Sequence, residues 1–180
     1  RNYITNIPHL ERPVIHDSCG ILFPYVLAVE DLLEITDKIP ERAKYIRIIM
    51  AELNRIISHM YWLGIMGIFT GHSTMFMWAM GDREMIIEAA SKLGGARVTF
   101  AYFTPGGVRN DTPPGFEEYM LEICDKFEDR LEQYNKIFFQ NSLFQDRTQK
   151  VGILNDNDAI NWGAVGPALR GSNVNSDVRK

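Results

Sequence analysis

Glu52, Arg55 and His59 come nearest to a catalytic set in this chain, placing a carboxylate, a guanidinium and an imidazole at i, i+3 and i+7 on one stripe of a helical segment. Metal ligation by Glu52 and His59 is the chemistry such a trio could in principle offer. A separation of seven residues, however, sets Glu52 and His59 about 10 Å apart along a helix axis, too far to share one ion. The stripe therefore reads as a structural polar network entering an apolar interior. It holds a long helix in one orientation and adds little net stability over an apolar equivalent.

No other self-contained catalyst is written in the chain. It has no nucleophile elbow, Walker loop, dinucleotide fingerprint or HExxH helix. The run TPGGV has two adjacent glycines but no following Lys-Ser/Thr, so it reads as a turn. Cys19 and Cys124 lack the paired spacing of a zinc or iron–sulfur site, and are expected as reduced, buried thiols in a cytosolic compartment. No bound metal or cofactor is expected of this chain. A net charge of −4 and a pI near 5.6 offer no general attraction for nucleic acid.

The element that must position the trio is the stretch from Pro40 to Gly71, free of internal proline, opening on Pro-Glu and closing on glycine. It predicts one long helix, charged in its first half and uncharged after His59, with its far end deepest in the core. Residues Met60 to Met80 raise a membrane question, because about 20 apolar residues can span a bilayer. Gly64, Gly67 and the run Thr70 to Thr74 interrupt them, so the prediction is two buried helix ends joined by a turn, with Ser73 or Thr74 capping the second helix. Five of the eight methionines fall in this stretch and suit irregular core gaps.

Around this pair, His16 to Ile35 shows a helical stripe with Asp17 or Ser18 as N-cap and Pro24 inside it. The helix after the turn runs from Thr74 to Leu93 and stops at Gly94-Gly95. Short β segments are expected near 97–103 and 151–154, the first leading into a loop dense in glycine and proline. Phe116 to Phe139 is the cleanest amphipathic helix. Its outward face sets seven carboxylates against three cations, a surplus equal to the charge of the whole chain. Short helices follow at Ser142 to Thr148 and Asp156 to Trp162, and GPALRGSNVNSDVRK shows no pattern. The expected architecture is mainly α, a single domain over 1–180. A start at Arg1 and a patternless end suggest an internal fragment of a longer polypeptide.

The string PERAKYIRIIMAELNRIISHMYWLG, preceded by AVEDLLEI and followed by DREMIIEAASKLGGAR, PGGVRND and GPALRGSNVNSDVRK, resembles the 49-kilodalton subunit family of respiratory complex I, the NADH-quinone oxidoreductase. That family is related to the large subunit of nickel–iron hydrogenases. The resemblance covers essentially the whole chain and implies a helical core of the hydrogenase-large-subunit type. It also implies a place on the cytoplasmic side of the membrane in a peripheral arm, with other peripheral-arm and membrane-arm subunits as partners. There the family helps to pass electrons, drawn from NAD(P)H in the complete complex, from an iron–sulfur cluster held by a neighbour to quinone.

Position by position, the resemblance puts Val14 and Asp17 where hydrogenase relatives carry two metal-binding cysteines, which removes soft thiolate ligation at that half of the site. The family's quinone-site tyrosine falls at Ile15, and the aspartate that often follows its SHxxWLG motif falls at Phe69. Ile15 and Phe69 are thus the expected quinone-cavity region. A histidine found in some members falls at Thr99, whereas Arg97 matches and is expected to face the cluster, where a guanidinium favours the reduced state. Two other readings are a large subunit of a membrane-bound hydrogenase-like complex, and a non-catalytic scaffold docking partners through the acidic helix. An isolated fragment is expected to expose apolar surface that self-association would cover.

Overall fold

The computed structural model describes residues 2–177. The chain splits into two compact units, Arg1–Phe138 and Phe139–Lys180, and each is described by itself. The first unit is built on a helical hairpin. Helix α3 (Glu41–Phe69) opens at Pro40, whose fixed φ of −56° suits the cap, and α4 (Ser73–Gly94) ends at Gly95 in the left-handed region with φ 73°. The turn between them brings the backbones close. A Cβ added at Gly67 would lie 2.9 Å from the Met75 Cβ and 3.0 Å from the His72 carbonyl oxygen, so only glycine fits that crossing. The cap of α4 is His72, whose Nδ1 accepts from the Met75 N–H at 3.1 Å, in place of the expected Ser73 or Thr74.

Ahead of the hairpin come a single turn α1 (Ile7–Leu10), a 3-10 turn at Ile15–Asp17 and α2 (Ser18–Leu32). Asp17 caps α2 as expected, accepting from the Gly20 N–H at 3.2 Å. After the hairpin come the two-residue strands β1 (Phe103–Thr104) and β2 (Gly107–Val108), antiparallel with Phe103 opposite Val108. They sit later than the strand expected near 97–103, because the β-rich run before Phe103 is tied down by side chains of other elements instead of a partner strand. Helix α5 (Phe116–Tyr134) continues into a π turn at Asn135–Phe139. Leu22 and Val26 of α2, Met50, Leu53 and Ile57 of α3, Ile86 and Leu93 of α4, and Phe100, Tyr102 and Phe103 form the core, which Phe116 and Ile123 of α5 close.

The far end of α3 is not the deepest part of this core. Its apolar residues split between faces: Met60, Leu63, Gly64 and Gly67 are buried against α4, whereas Trp62, Ile68 and Phe69 face outward, Phe69 at 78% exposure. The Glu52, Arg55 and His59 stripe lies outside the core too, with Glu52 and Arg55 paired at 2.9 Å in solvent. The expectation that it enters the interior is corrected by the neighbouring face, where Met50, Leu53, Asn54 and Ile57 take the side packed inward. Cys19 is buried as expected, but Cys124 lies exposed on α5.

In the second unit, α6 (Ser142–Thr148) is capped by Asn141, which accepts from the Leu143 N–H at 2.9 Å. Helices α7 (Asp156–Asn161) and α8 (Gly166–Gly171) pack on each other with Ala159 and Leu169 buried. The expected strand near 151–154 is absent among the described residues, since Lys150 and Gly152 both take positive φ, which breaks an extended run. The supposedly patternless tail begins with α8, started by a proline in its first turn; residues 178–180 lie outside the described residues. Among the described residues no helix is long and apolar enough to cross a membrane.

Candidate functional site

Arg47 is charged, yet it lies within the buried face of α3, and the reason comes from elsewhere in the chain. Its guanidinium grips Glu30 of α2 at 2.9 and 2.5 Å, with exposures of 2% and 0% for the pair. It also donates to the carbonyls of Thr104 and Gly107 at 2.9 and 2.8 Å, while Glu30 accepts from the Gly106 N–H at 2.8 Å. A paired, fully hydrogen-bonded charge can be buried in this way, and here it fixes the PGGV turn of the hairpin on α2 and α3.

Just upstream, Glu11 accepts from the Ala101 N–H with both carboxylate oxygens at 2.8 and 2.9 Å, and Ser18 donates its hydroxyl to the Val98 carbonyl at 3.2 Å. Burial pushes the Glu11 carboxyl above its usual range, opposed by the Ala101 bond and by Arg109. Ala101 itself sits at φ 45°, a strained position for a side chain that Glu11 holds in place. Residues 97–101 are thereby fixed as one wall of a cavity.

That cavity is about 350 Å³, at the small end of the range for ligand pockets. Ile15, Ile57, Met80, Val98 and Phe100 supply its apolar lining. Its polar lining is His16, Asn54, Tyr61, Arg83 and Arg97, drawn from the 3-10 turn, α3, α4 and the 97–101 wall. Asn54 is committed to Asp17, donating to Oδ1 at 2.6 Å, and Arg97 pairs with Glu84. Arg83 donates Nε to the Ile57 carbonyl at 3.0 Å, and its guanidinium carbon lies 5.9 Å from the centre of the Tyr61 ring. Burial lowers the Arg83 guanidinium from its ordinary value, Glu84 and Tyr61 work the other way, and Arg97 adds to the lowering. His16 stacks on Tyr61 with centroids 5.1 Å apart and planes 15° from parallel. Two guanidiniums beside a stacked aromatic pair suit a planar ligand whose oxygen atoms carry or gain negative charge.

Among the sequence-derived candidates, Ile15 and Arg97 line this one cavity. Phe69 does not; it lies eight residues beyond Tyr61, about 12 Å along the helix axis, on an exposed face. Arg55 and His59 line a different hollow of about 300 Å³ together with Asp17 and Cys19. Among the described residues no group of three or more His, Cys, Asp or Glu side chains could hold a metal ion. Sequence reasoning passed over His16, Tyr61 and Arg83. Two of them lie inside the family-like strings SHMYWLG and DREMIIE, which was the available signal.

With the membrane-bound sulfane sulfur reductase, described as an archaeal respiratory membrane complex, the chain shares a TM-score of 0.90 and 30% identity over 100% of its own length and 48% of that chain. Residues 70–180 match the family model of the respiratory-chain NADH dehydrogenase 49-kilodalton subunit. The chain is 43% identical over its full length to an NADH-quinone oxidoreductase subunit of Geobacter sulfurreducens, covering 46% of it. It is 40% identical to an F(420)H(2) dehydrogenase subunit of Methanosarcina mazei, again over all of this chain and 48% of that one. The chain belongs to the 49-kilodalton subunit family of respiratory-chain NADH dehydrogenase, and its fold is the mainly helical one expected. It spans about half the length of the curated relatives it matches.

Proposed function

We propose that this chain is the cavity-forming part of a quinone-site subunit in a complex I-like oxidoreductase, helping electrons from a partner-held iron–sulfur cluster reach quinone. The observation that carries the reading is that Ile15 and Arg97, which the family resemblance assigns to the quinone region and to the cluster, line one cavity with a second guanidinium, Arg83. The chain's own donor set fits a cluster held elsewhere, because Cys19 is buried and Cys124 stands by itself on α5. In this role Arg97 lowers the energy of negative charge on the side where electrons arrive, and Arg83 does so within the cavity. Ile15 and Val98 offer apolar surface to the ligand's ring. Phe69 and the apolar face around it belong to the surface covered by other subunits of the complex, which sits at the cytoplasmic side of the membrane.

Photolabelling tests this. An azido-quinone irradiated with the intact complex is expected to mark peptides containing Ile15 and Arg97, with protection by excess short-chain benzoquinone. Label confined to other subunits, or a complex that reduces polysulfide but no quinone, overturns the reading.

A further inference from the structure

In the cavity lined by Ile15 and Arg97 three of the five polar side chains are already engaged. Asn54 is held by Asp17, Arg97 by Glu84, and the Nε of Arg83 by the Ile57 carbonyl. Two exceptions stand side by side. Among the described residues, neither the Tyr61 hydroxyl nor the His16 imidazole has a hydrogen-bond partner, although the two rings stack at 5.1 Å and both line the cavity. Stacking fixes the planes of both rings without using their polar edges, so the hydroxyl and the ring nitrogens remain available to a ligand.

The position that the resemblance reserves for the family's quinone-site tyrosine is Ile15, whose side chain can form no hydrogen bond. We propose that His16 and Tyr61 together supply the hydrogen-bonding edge of this cavity, recognising a carbonyl oxygen of a quinone that Arg83 flanks. The assignment rests on the quinone reading above. The wall is built for this task in a specific way. Asp17, which caps α2 and holds Asn54, fixes the turn that carries His16, and Arg83 over the Tyr61 ring fixes the other member. The protic edge has thus moved one residue along the 3-10 turn and been joined by a residue of α3.

The test uses the intact complex reduced with dithionite, whose iron–sulfur clusters are then reoxidised by a short-chain benzoquinone in a stopped-flow mixer. Each benzoquinone takes two electrons from the clusters and two protons, and both carbonyls become hydroxyls. Tyr61→Phe removes only the hydroxyl and keeps the stacked ring; His16→Phe keeps the stack and removes both nitrogens. Each is expected to raise the half-saturating quinone concentration about three- to tenfold, the value of one hydrogen bond, with the limiting rate little changed. The spectrum of the dithionite-reduced clusters should match the unaltered complex, which reports assembly independently of quinone. If Tyr61→Phe disturbs that spectrum, His16→Phe, at an exposed turn, decides.

An unmoved half-saturation value in both variants, with normal reoxidation, overturns this assignment and leaves the quinone reading standing. So does a fall in limiting rate at unchanged half-saturation. An unaltered complex whose reduced clusters no quinone reoxidises overturns both together.

Discussion

Replacing Arg47 with Met removes a side chain that is 2% exposed and holds three partners at once. The loss leaves the Glu30 carboxylate buried with the Gly106 N–H as its remaining hydrogen-bond donor, and strips the Thr104 and Gly107 carbonyls of the donor that reached both. Breaking a buried ion pair from one side costs about 3–5 kcal/mol, because an uncompensated charge stays behind. The Thr104 and Gly107 carbonyls lose this donor but keep their pairing across β1 and β2, and methionine recovers part of the packing, so the middle of that range is expected. Denaturant unfolding followed by tryptophan fluorescence is therefore expected to lose about 4 kcal/mol for Arg47→Met. Glu30→Met alone should cost a similar amount, and the double variant clearly less than the sum of the two. A coupling above about 2 kcal/mol in that cycle is the signature of the pair itself. A loss below about 1 kcal/mol for Arg47→Met, at an unchanged slope against denaturant, would refute the clamp as the device holding the hairpin.

Two further outcomes follow from local geometry. Gly67→Ala forces a methyl group against the Met75 Cβ and the His72 carbonyl, and should destabilise by about 1–3 kcal/mol in the same unfolding assay. Alkaline pH acts through groups that burial keeps protonated: the Cys19 thiol is pushed from 9.0 to about 12, and the Tyr102 hydroxyl from 10.0 to about 12. The unfolded chain releases these protons first, so the folded state binds more of them. Stability is then full below about pH 9 and falls as pH rises towards 12, which unfolding midpoints across that window would show, while iodoacetamide at pH 8 should modify exposed Cys124 and spare Cys19.

Proline and glycine at its ends made α3 legible, and the Asp17 cap of α2 could be read for the same reason: local chemistry determines both. Which face of α3 turns inward is not local. Arg47 is buried because Glu30, seventeen residues earlier, meets it with the hairpin carbonyls, whereas Glu52 and Arg55 need no third element and stay in solvent. A polar stripe on a helix looks the same in sequence in either case. Of the residues lining the cavity, the resemblance had singled out Ile15 for a quinone cavity and Arg97 for a cluster, while Phe69, expected beside Ile15, lies elsewhere. His16, Tyr61 and Arg83 join the cavity only when α3, α4 and the wall are assembled, and no single-segment periodicity encodes that meeting. Helix α8 escaped notice because a six-residue helix has too few turns to display a period.

The side chains that pin the cavity wall and the β1–β2 turn after it have a consequence for how the protein comes to be folded. Ser18 reaches Val98 across 80 residues, Glu11 reaches Ala101 across 90, and Glu30 reaches Gly106 across 76. Every one of these ties spans the whole α3–α4 hairpin, whose own contacts are mostly nearer in sequence. Short-range helical pairing is fast and long loop closure is slow, so the hairpin forms first and the wall is stitched down last. During synthesis the segment up to Glu30 waits for a partner made much later. Until it arrives, the carboxylates of Glu11 and Glu30 remain hydrated, and the pocket for a ligand does not yet exist.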